Sequence, residues 1–332
     1  MKIRNYFFFL ITLFHFNAHG NESSYKVTHI VEMNIASTIN PATLSYLKES
    51  LKKAKKRPDS LLLIKLNTPG GLVSTTKEML TEIGSHQIPF VVWVTPEGAS
   101  ATSAGAIIAS GAHQILMSPG TNIGAATPIT MSKELPKDAR NKAINDLVAL
   151  VQSLREARGK KGNSFKEMVE KAASFKAQEA LEKGIIDGIV SNEQELIEHL
   201  NNKSLILNAQ TVTLSLNNPH FETSEMDLGQ KFLDIFANPT LAYLLFIIGA
   251  ALIYLELQAP GGFIAGSFGV ISLIFAGICF QVIPLNFGAL SLMGLSFVLF
   301  MLEIYITSFG LLTLAGIASL VTGSLFLYRT DD

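Results

Sequence analysis

The stretch FVVWVTPEGASATSAGAIIASGAHQILMSPGTNIGAATPI, residues 90–129, decides how the chain is read. Phe90 to Thr95 is a short apolar, β-branched run with one aromatic, so it reads as a strand. Pro96, Gly98 and the small residues behind them end that strand and open a helix. Ser103, within Ala101-Thr102-Ser103-Ala104-Gly105, is thereby placed near the start of a helix. There free main-chain N–H groups and the positive helix end gather, and no bulky neighbour blocks a carbonyl. Those are the needs of a serine nucleophile beside an oxyanion hole. An ordinary packed strand-to-helix turn uses the same small residues.

Upstream, Tyr25 to Met33 alternates polar and apolar residues as a strand with one covered face does. Asn40-Pro41-Ala42-Thr43 then starts a helix with Leu44, Leu47, Leu51 and Ala54 at helical spacing. Its other face carries Lys48, Lys52, Lys53, Lys55 and Lys56, interrupted by Glu49, in a protein of formal net charge −1. That is a solvated face rather than a nucleic-acid patch. Ser60 to Leu66 is a buried strand running into Asn67-Thr68-Pro69-Gly70-Gly71-Leu72, and a helix follows from about Thr75 to Gly84. Paired glycines after a strand let a backbone approach a ligand and present N–H groups, and they also serve in plain strand-to-helix turns.

Downstream, Gln114 to Met117 reads as another strand, residues 119–138 as loop, and Ala139 to Arg158 as a long helix. Its apolar stripe is Ile144, Leu147, Val148, Val151 and Leu154, with Lys142 beside it in the first turn. A lysine there snorkels if exposed, and becomes a competent base if buried. The seven histidines include none with a recognisable acidic partner, and His113, after a small-residue helix, is expected on the surface. Alternating strands and helices predict a parallel sheet with helices on its faces.

Charge divides the chain. Of 332 residues 48% are hydrophobic and 16% charged, yet between Phe232 and Tyr328 the charged residues are only Asp234, Glu256 and Glu303. The expectation is a water-exposed first part and a membrane-embedded second part. Lys2 and Arg4 before an apolar run to Phe16, then Ala18-His19-Gly20, read as a signal peptide over residues 1–20, with an uncleaved anchor as the alternative. With Cys279 the single cysteine, neither an intramolecular disulfide nor a cysteine-based metal site is expected.

Taken together, Leu66-Asn67-Thr68-Pro69-Gly70-Gly71-Leu72, Ser103-Ala104-Gly105, residues 118–128 (SPGTNIGAATP), Lys142-Ala143-Ile144-Asn145-Asp146 and residues 177–189 (AQEALEKGIIDGI) resemble the NfeD-type membrane-bound serine proteases. The resemblance implies an α/β domain of the Clp protease/crotonase fold over residues 21–200, followed by an all-α membrane domain. It implies Ser103 as nucleophile, Lys142 as general base, and an oxyanion hole from the N–H groups of Gly70 or Gly71 and of Ala104. Soluble Clp-type relatives use a histidine as base; Gly124-Ala125-Ala126 occupies the comparable place here, which suits the lysine. Asn67 stands where the family usually has aspartate, and Thr102 where it usually has alanine. The resemblance further implies a protein or peptide substrate, a stomatin- or prohibitin-like partner, a homo-oligomer, no cofactor and no nucleic acid. Long forms of the family carry a further C-terminal β-barrel, which this sequence is expected to lack.

Residues 201–239 lack sustained periodicity apart from Thr211 to Leu216, so they are expected to be a linker. Residues 240–328 hold four apolar stretches, about Leu241 to Leu257, Phe263 to Ile283, Phe287 to Ile306 and Phe309 to Tyr328, with residues 329–332 as a tail. Each approaches the ~20 residues that a spanning helix needs. Leu255-Glu256-Leu257 answers to Leu302-Glu303-Ile304, and Gly269, Ser272 and Leu273 to Gly316, Ser319 and Leu320, so the four stretches read as two copies of a helical hairpin. Gly262 and Gly266 form a GxxxG that brings helices together or shapes a loop. The expectation is an exported, membrane-anchored serine endopeptidase acting on apolar segments of membrane-associated proteins. The alternatives are an inactive scaffold and a crotonase-like acyl-CoA enzyme.

Overall fold

A computed structural model describes residues 23–128, 137–160, 164–258, 261–282, 286–306 and 308–327. The expected signal segment and the tail lie outside them. In chain order the elements are β1 (Ser23–Ile35), α1 (Pro41–Lys55), β2 (Ser60–Leu66), α2 (Val73–Ser85), β3 (Phe90–Val94), β4 (Ser100–Thr102), α3 (Ala104–Ser110), β5 (Gln114–Met117) and β6 (Asn122–Gly124). Then follow α4 (Lys137–Ala157), α5 (Ser164–Glu170), β7 (Ser174–Lys176), α6 (Ala177–Glu182), β8 (Gly188–Ile189), α7 (Glu193–Leu200), β9 (Ser204–Leu207) and β10 (Gln210–Ser224). The chain continues as α8 (Leu228–Phe236), α9 (Pro239–Gln258), α10 (Ile264–Val282), α11 (Phe287–Tyr305) and α12 (Leu311–Phe326).

The main sheet has the order β8-β5-β3-β2-β1-β10-β9 and is parallel except for β9 against β10. Continuous apolar strands such as β2, SLLLIKL, need cover on both faces, and they have it. One face packs Val31, Met33, Leu62, Ile64, Val92 and Ile115 against the apolar stripes of α1 to α5. The other packs Val27, Leu61, Leu63, Val91 and Trp93 against Leu196 and Leu200 of α7. On this second face Lys65 joins Glu32 at 2.7 Å and Glu193 at 2.9 Å, with its Nζ 5.5 Å from the centre of the Trp93 ring.

A smaller sheet, β4-β6-β7, stands beside the main one and holds the Ser103 stretch. The sequence reading missed β4 and β6 because three-residue strands leave no periodicity to detect.

The expected linker is different from a hinge. Residues 204–224 form β9 and β10, joined by a tight turn in which Asn208 and Ala209 both have positive φ. β10 adds itself in parallel to β1 and extends the main sheet. Its alternation is legible only to Leu216 because the register to β1 shifts beyond Val27, where Asn217-Asn218-Pro219 bulges out.

Beyond α8 the chain is apolar helix. α9 and α11 are each long and apolar enough to cross a membrane, and α10 and α12 are shorter apolar helices. They pack as the hairpins α9–α10 and α11–α12. In the first, a Cβ on Gly269 would lie 2.7 Å from the Gly249 carbonyl oxygen, so the helices cross there backbone to backbone. The Gly262/Gly266 pair is not this crossing: Gly262 lies at the connection, and Gly266 abuts the Glu256 side chain.

Each hairpin is closed by the same device. Glu256, near the end of α9, accepts from Phe263 N at 2.9 Å and Gly266 N at 3.2 Å. Glu303, at the end of α11, accepts from Gly310 N at 2.9 Å and Thr313 N at 3.2 Å. The acceptor atoms correspond one to one across the repeat. A carboxylate from one helix thus caps the first turn of the next, where unpaired N–H groups and the helix dipole favour it.

Candidate active site

The site is built from the end of β2 upward. Thr68, fully buried, takes a hydrogen bond from Gly70 N on its Oγ1 at 3.1 Å. Its backbone N–H donates to Ser100 O at 2.7 Å, and its carbonyl accepts from Thr102 N at 3.1 Å. These bonds tie β4 to the end of β2. Ser103 then closes β4 with its N–H donated to Gly124 O at 2.9 Å, while its own carbonyl accepts the first helical bond from Ile107 N.

Held from both sides, Ser103 takes φ 54° and ψ −114°, outside the basins open to ordinary L-residues. Such strain costs roughly 1–3 kcal/mol and persists only where the surroundings over-determine it. The elbow leaves the hydroxyl partly exposed and unbonded to any described residue.

Two glycines fit this elbow closely. Gly70 has φ 125°, and a Cβ there would sit 2.7 Å from Ser103 Cβ. A Cβ on Gly71 would lie 2.1 Å from the Ile39 carbonyl oxygen. Ile39 bridges to this turn by donating to Gly70 O at 2.8 Å and accepting from Leu72 N at 2.9 Å. The Gly70 N–H is engaged by Thr68. The Gly71 and Ala104 N–H groups have no acceptor among the described residues. Ala104 N is moreover the first of the unpaired donors of α3. Asn67 accepts from Ser100 N at 3.1 Å through Oδ1 and so helps to anchor β4.

Ser103, Gly70, Gly71 and Ala104 are therefore brought together. Lys142 is not bonded to them: it lies exposed on the first turns of α4, with no hydrogen bond or ion pair to a described residue. One turn later Asp146 pairs with Lys77 and fastens α4 to α2. Among the described residues no group of His, Cys, Asp or Glu converges as metal ligands would. The residue that sequence reasoning passed over is Thr68, which sits inside the quoted motif but whose role needs the β4 pairing to become visible.

His113 is the second departure. Expected on the surface, it is 3% exposed, and its Nδ1 accepts from Phe90 N at 3.0 Å. The hydrogen bond holds the ring against the start of β3, inside the sheet, which the small residues before it do not foretell.

A family model described as NfeD1b, N-terminal domain, matches residues 29–209, and one described as NfeD integral membrane domain matches residues 240–332. The chain belongs to the NfeD family. It is 30% identical over 271 residues to membrane-bound protease PH1510 of Pyrococcus horikoshii, covering 80% of this chain and 62% of that one. It is 24% identical over 310 residues to membrane protein NfeD1b of Bacillus subtilis, covering 88% of this chain and 65% of that one. The chain thus spans less than two thirds of these relatives. Among solved structures, the 1510-N membrane-bound stomatin-specific protease, as a lysine-to-alanine variant in complex with a substrate peptide, matches with TM-score 0.58 and 28% identity, covering 63% of this chain and 97% of that one. The same protease as a serine-to-alanine variant matches with TM-score 0.56 and 29% identity, covering 60% and 99%. This NfeD chain accordingly combines an α/β domain similar to that of the 1510-N protease with a C-terminal helical membrane region.

Proposed function

We propose that this NfeD chain is a membrane-anchored serine endopeptidase. The observation that carries the reading is the strained Ser103 elbow, with a free hydroxyl beside two unpaired main-chain donors. Ser103 attacks the peptide carbonyl, and the N–H groups of Gly71 and Ala104 receive the developing oxyanion. Lys142 takes the serine proton and returns it to the leaving amine, after which water releases the acyl group. A lysine acts as base only where water is kept from it, so the exposed Lys142 requires the cover of a bound substrate or a second chain. The similar protease solved with its lysine or its serine replaced by alanine supports this pair of roles.

The substrates in this reading are apolar segments of membrane-associated proteins, stomatin-like proteins among them, met by a cleft held beside the bilayer. All four of α9 to α12 cross the membrane in this topology, with the α/β domain on the exported side. Incubation of the full chain with hydrophobic peptides, read by mass spectrometry, tests it. Cleavage is expected to fall by about 10³-fold or more in Ser103→Ala, and equal cleavage by that variant ends the proposal.

The exposure of Lys142 favours a second reading, a catalytically silent fold that holds a partner. Labelling of Ser103 by a fluorophosphonate excludes it.

A further inference from the structure

α8 has two unlike faces. Gln230 and Asp234 lie on one side, while Leu228, Phe232, Ile235 and Phe236 lie on the other at helical spacing. The polar side docks on the α/β domain. Asp234 Oδ1 accepts from Asn40 Nδ2 at 2.8 Å and from Ser37 Oγ at 3.3 Å, and Gln230 Nε2 donates to Ser45 Oγ at 3.1 Å. The apolar side is bare: Leu228 is 77% exposed, Phe232 58% and Ile235 57%.

We infer that α8 lies flat in the bilayer surface, with Leu228, Phe232 and Ile235 immersed among the lipid chains. The occupant follows from continuity with the membrane helices. Only Ala237 and Asn238 separate α8 from α9. Phe232 stacks on Phe236 with ring centres 6.0 Å apart, and Phe236 stacks on Phe275 of α10 at 5.4 Å. The bare face therefore continues directly into the apolar surface of the first hairpin; the docked face turns Leu228 and Phe232 away from the α/β domain, while Ile235 borders an open groove that Ser37 and Thr38 also line. Lys231 sits between the two faces, where its stem can follow the apolar surface while its ammonium stays in water.

The test is site-directed spin labelling of the full chain in phosphatidylcholine/phosphatidylglycerol vesicles, in a Cys279→Ser background. Phe232→Cys carries the label, Leu228→Cys and Ile235→Cys repeat it on the same face, and Glu198→Cys on exposed α7 is the control. The α8 labels are expected to collide with oxygen roughly severalfold more than with a water-soluble nickel chelate, and the control to show the reverse order. Nickel access equal to the control means a face in water and overturns the inference. Shielding from both reagents with spin–spin broadening means that a second copy covers it, and shielding without broadening means that the chain covers it itself; both also overturn it. The result is independent of catalysis, because a Ser103→Ala chain is expected to give the same accessibilities.

Discussion

Ser103 shows how much a single position depends on its neighbours. Its place near a helix start was legible from the small residues after Pro96, but its positive φ was not, because that angle is set by Thr68 and Gly124 pairing on either side. His113 is the opposite lesson. Burial pushes its pKa from the ordinary histidine range down to about 3, with the nearby charges of Arg158 and Lys160 acting in the same direction. The unfolded chain takes up a proton near the ordinary value of about 6.5, whereas the folded chain does so only near 3. Stability from this group is therefore complete above about pH 6.5 and is lost as pH falls towards 3, by up to about 1.4 kcal/mol per pH unit. His113→Asn retains an acceptor for Phe90 N and is expected to flatten that dependence. Denaturant midpoints of both proteins between pH 6.5 and 4 check this, and parallel curves would refute it.

At the scale of elements, legibility followed length and regularity. β2 was evident from its continuous apolar run and α1 and α4 from periodicity, whereas β4 and β6 were too short and β10 was half hidden by its bulge. The hairpin repeat was visible in sequence through Glu256 and Glu303, but what these carboxylates do became clear only when both were seen to cap the following helix. Replacing either by glutamine leaves one acceptor oxygen where two N–H groups need one each. Glu256→Gln and Glu303→Gln are each expected to destabilise their hairpins, Glu303→Gln the more because its Oε2 also accepts from Ser308 Oγ at 2.5 Å. Detergent unfolding followed by circular dichroism measures it. Unfolding curves unchanged in both variants would refute it.

For the whole molecule, the division into a charged first part and an apolar second part was plain from composition. The joint between them was not, because Asp234 meets Ser37 and Asn40 across almost two hundred residues of sequence. That joint reaches the site: Asn40 caps α1, and its neighbour Ile39 brackets Gly70 and Gly71. Asp234→Ala frees Asn40 and is expected to slacken the Gly70–Gly71 turn by about 1 kcal/mol, or roughly fivefold in the rate at which Ser103 is labelled, with Asp234→Asn retaining most of that rate. Fluorophosphonate labelling rates of Ser103 in the two variants decide it, since equal rates in wild type and Asp234→Ala would show the joint to be mechanically silent.

Trp93 is the only tryptophan in the chain, and it lies on the α7 side of the sheet beneath Lys65. Indole emission, excited to the red of tyrosine absorption, therefore originates in one known layer, because the C-terminal helices carry tyrosines but no tryptophan. Heating or denaturant followed at that wavelength watches the sheet come apart while the bilayer helices pass unseen, giving a built-in optical marker for the order in which the two halves dissolve.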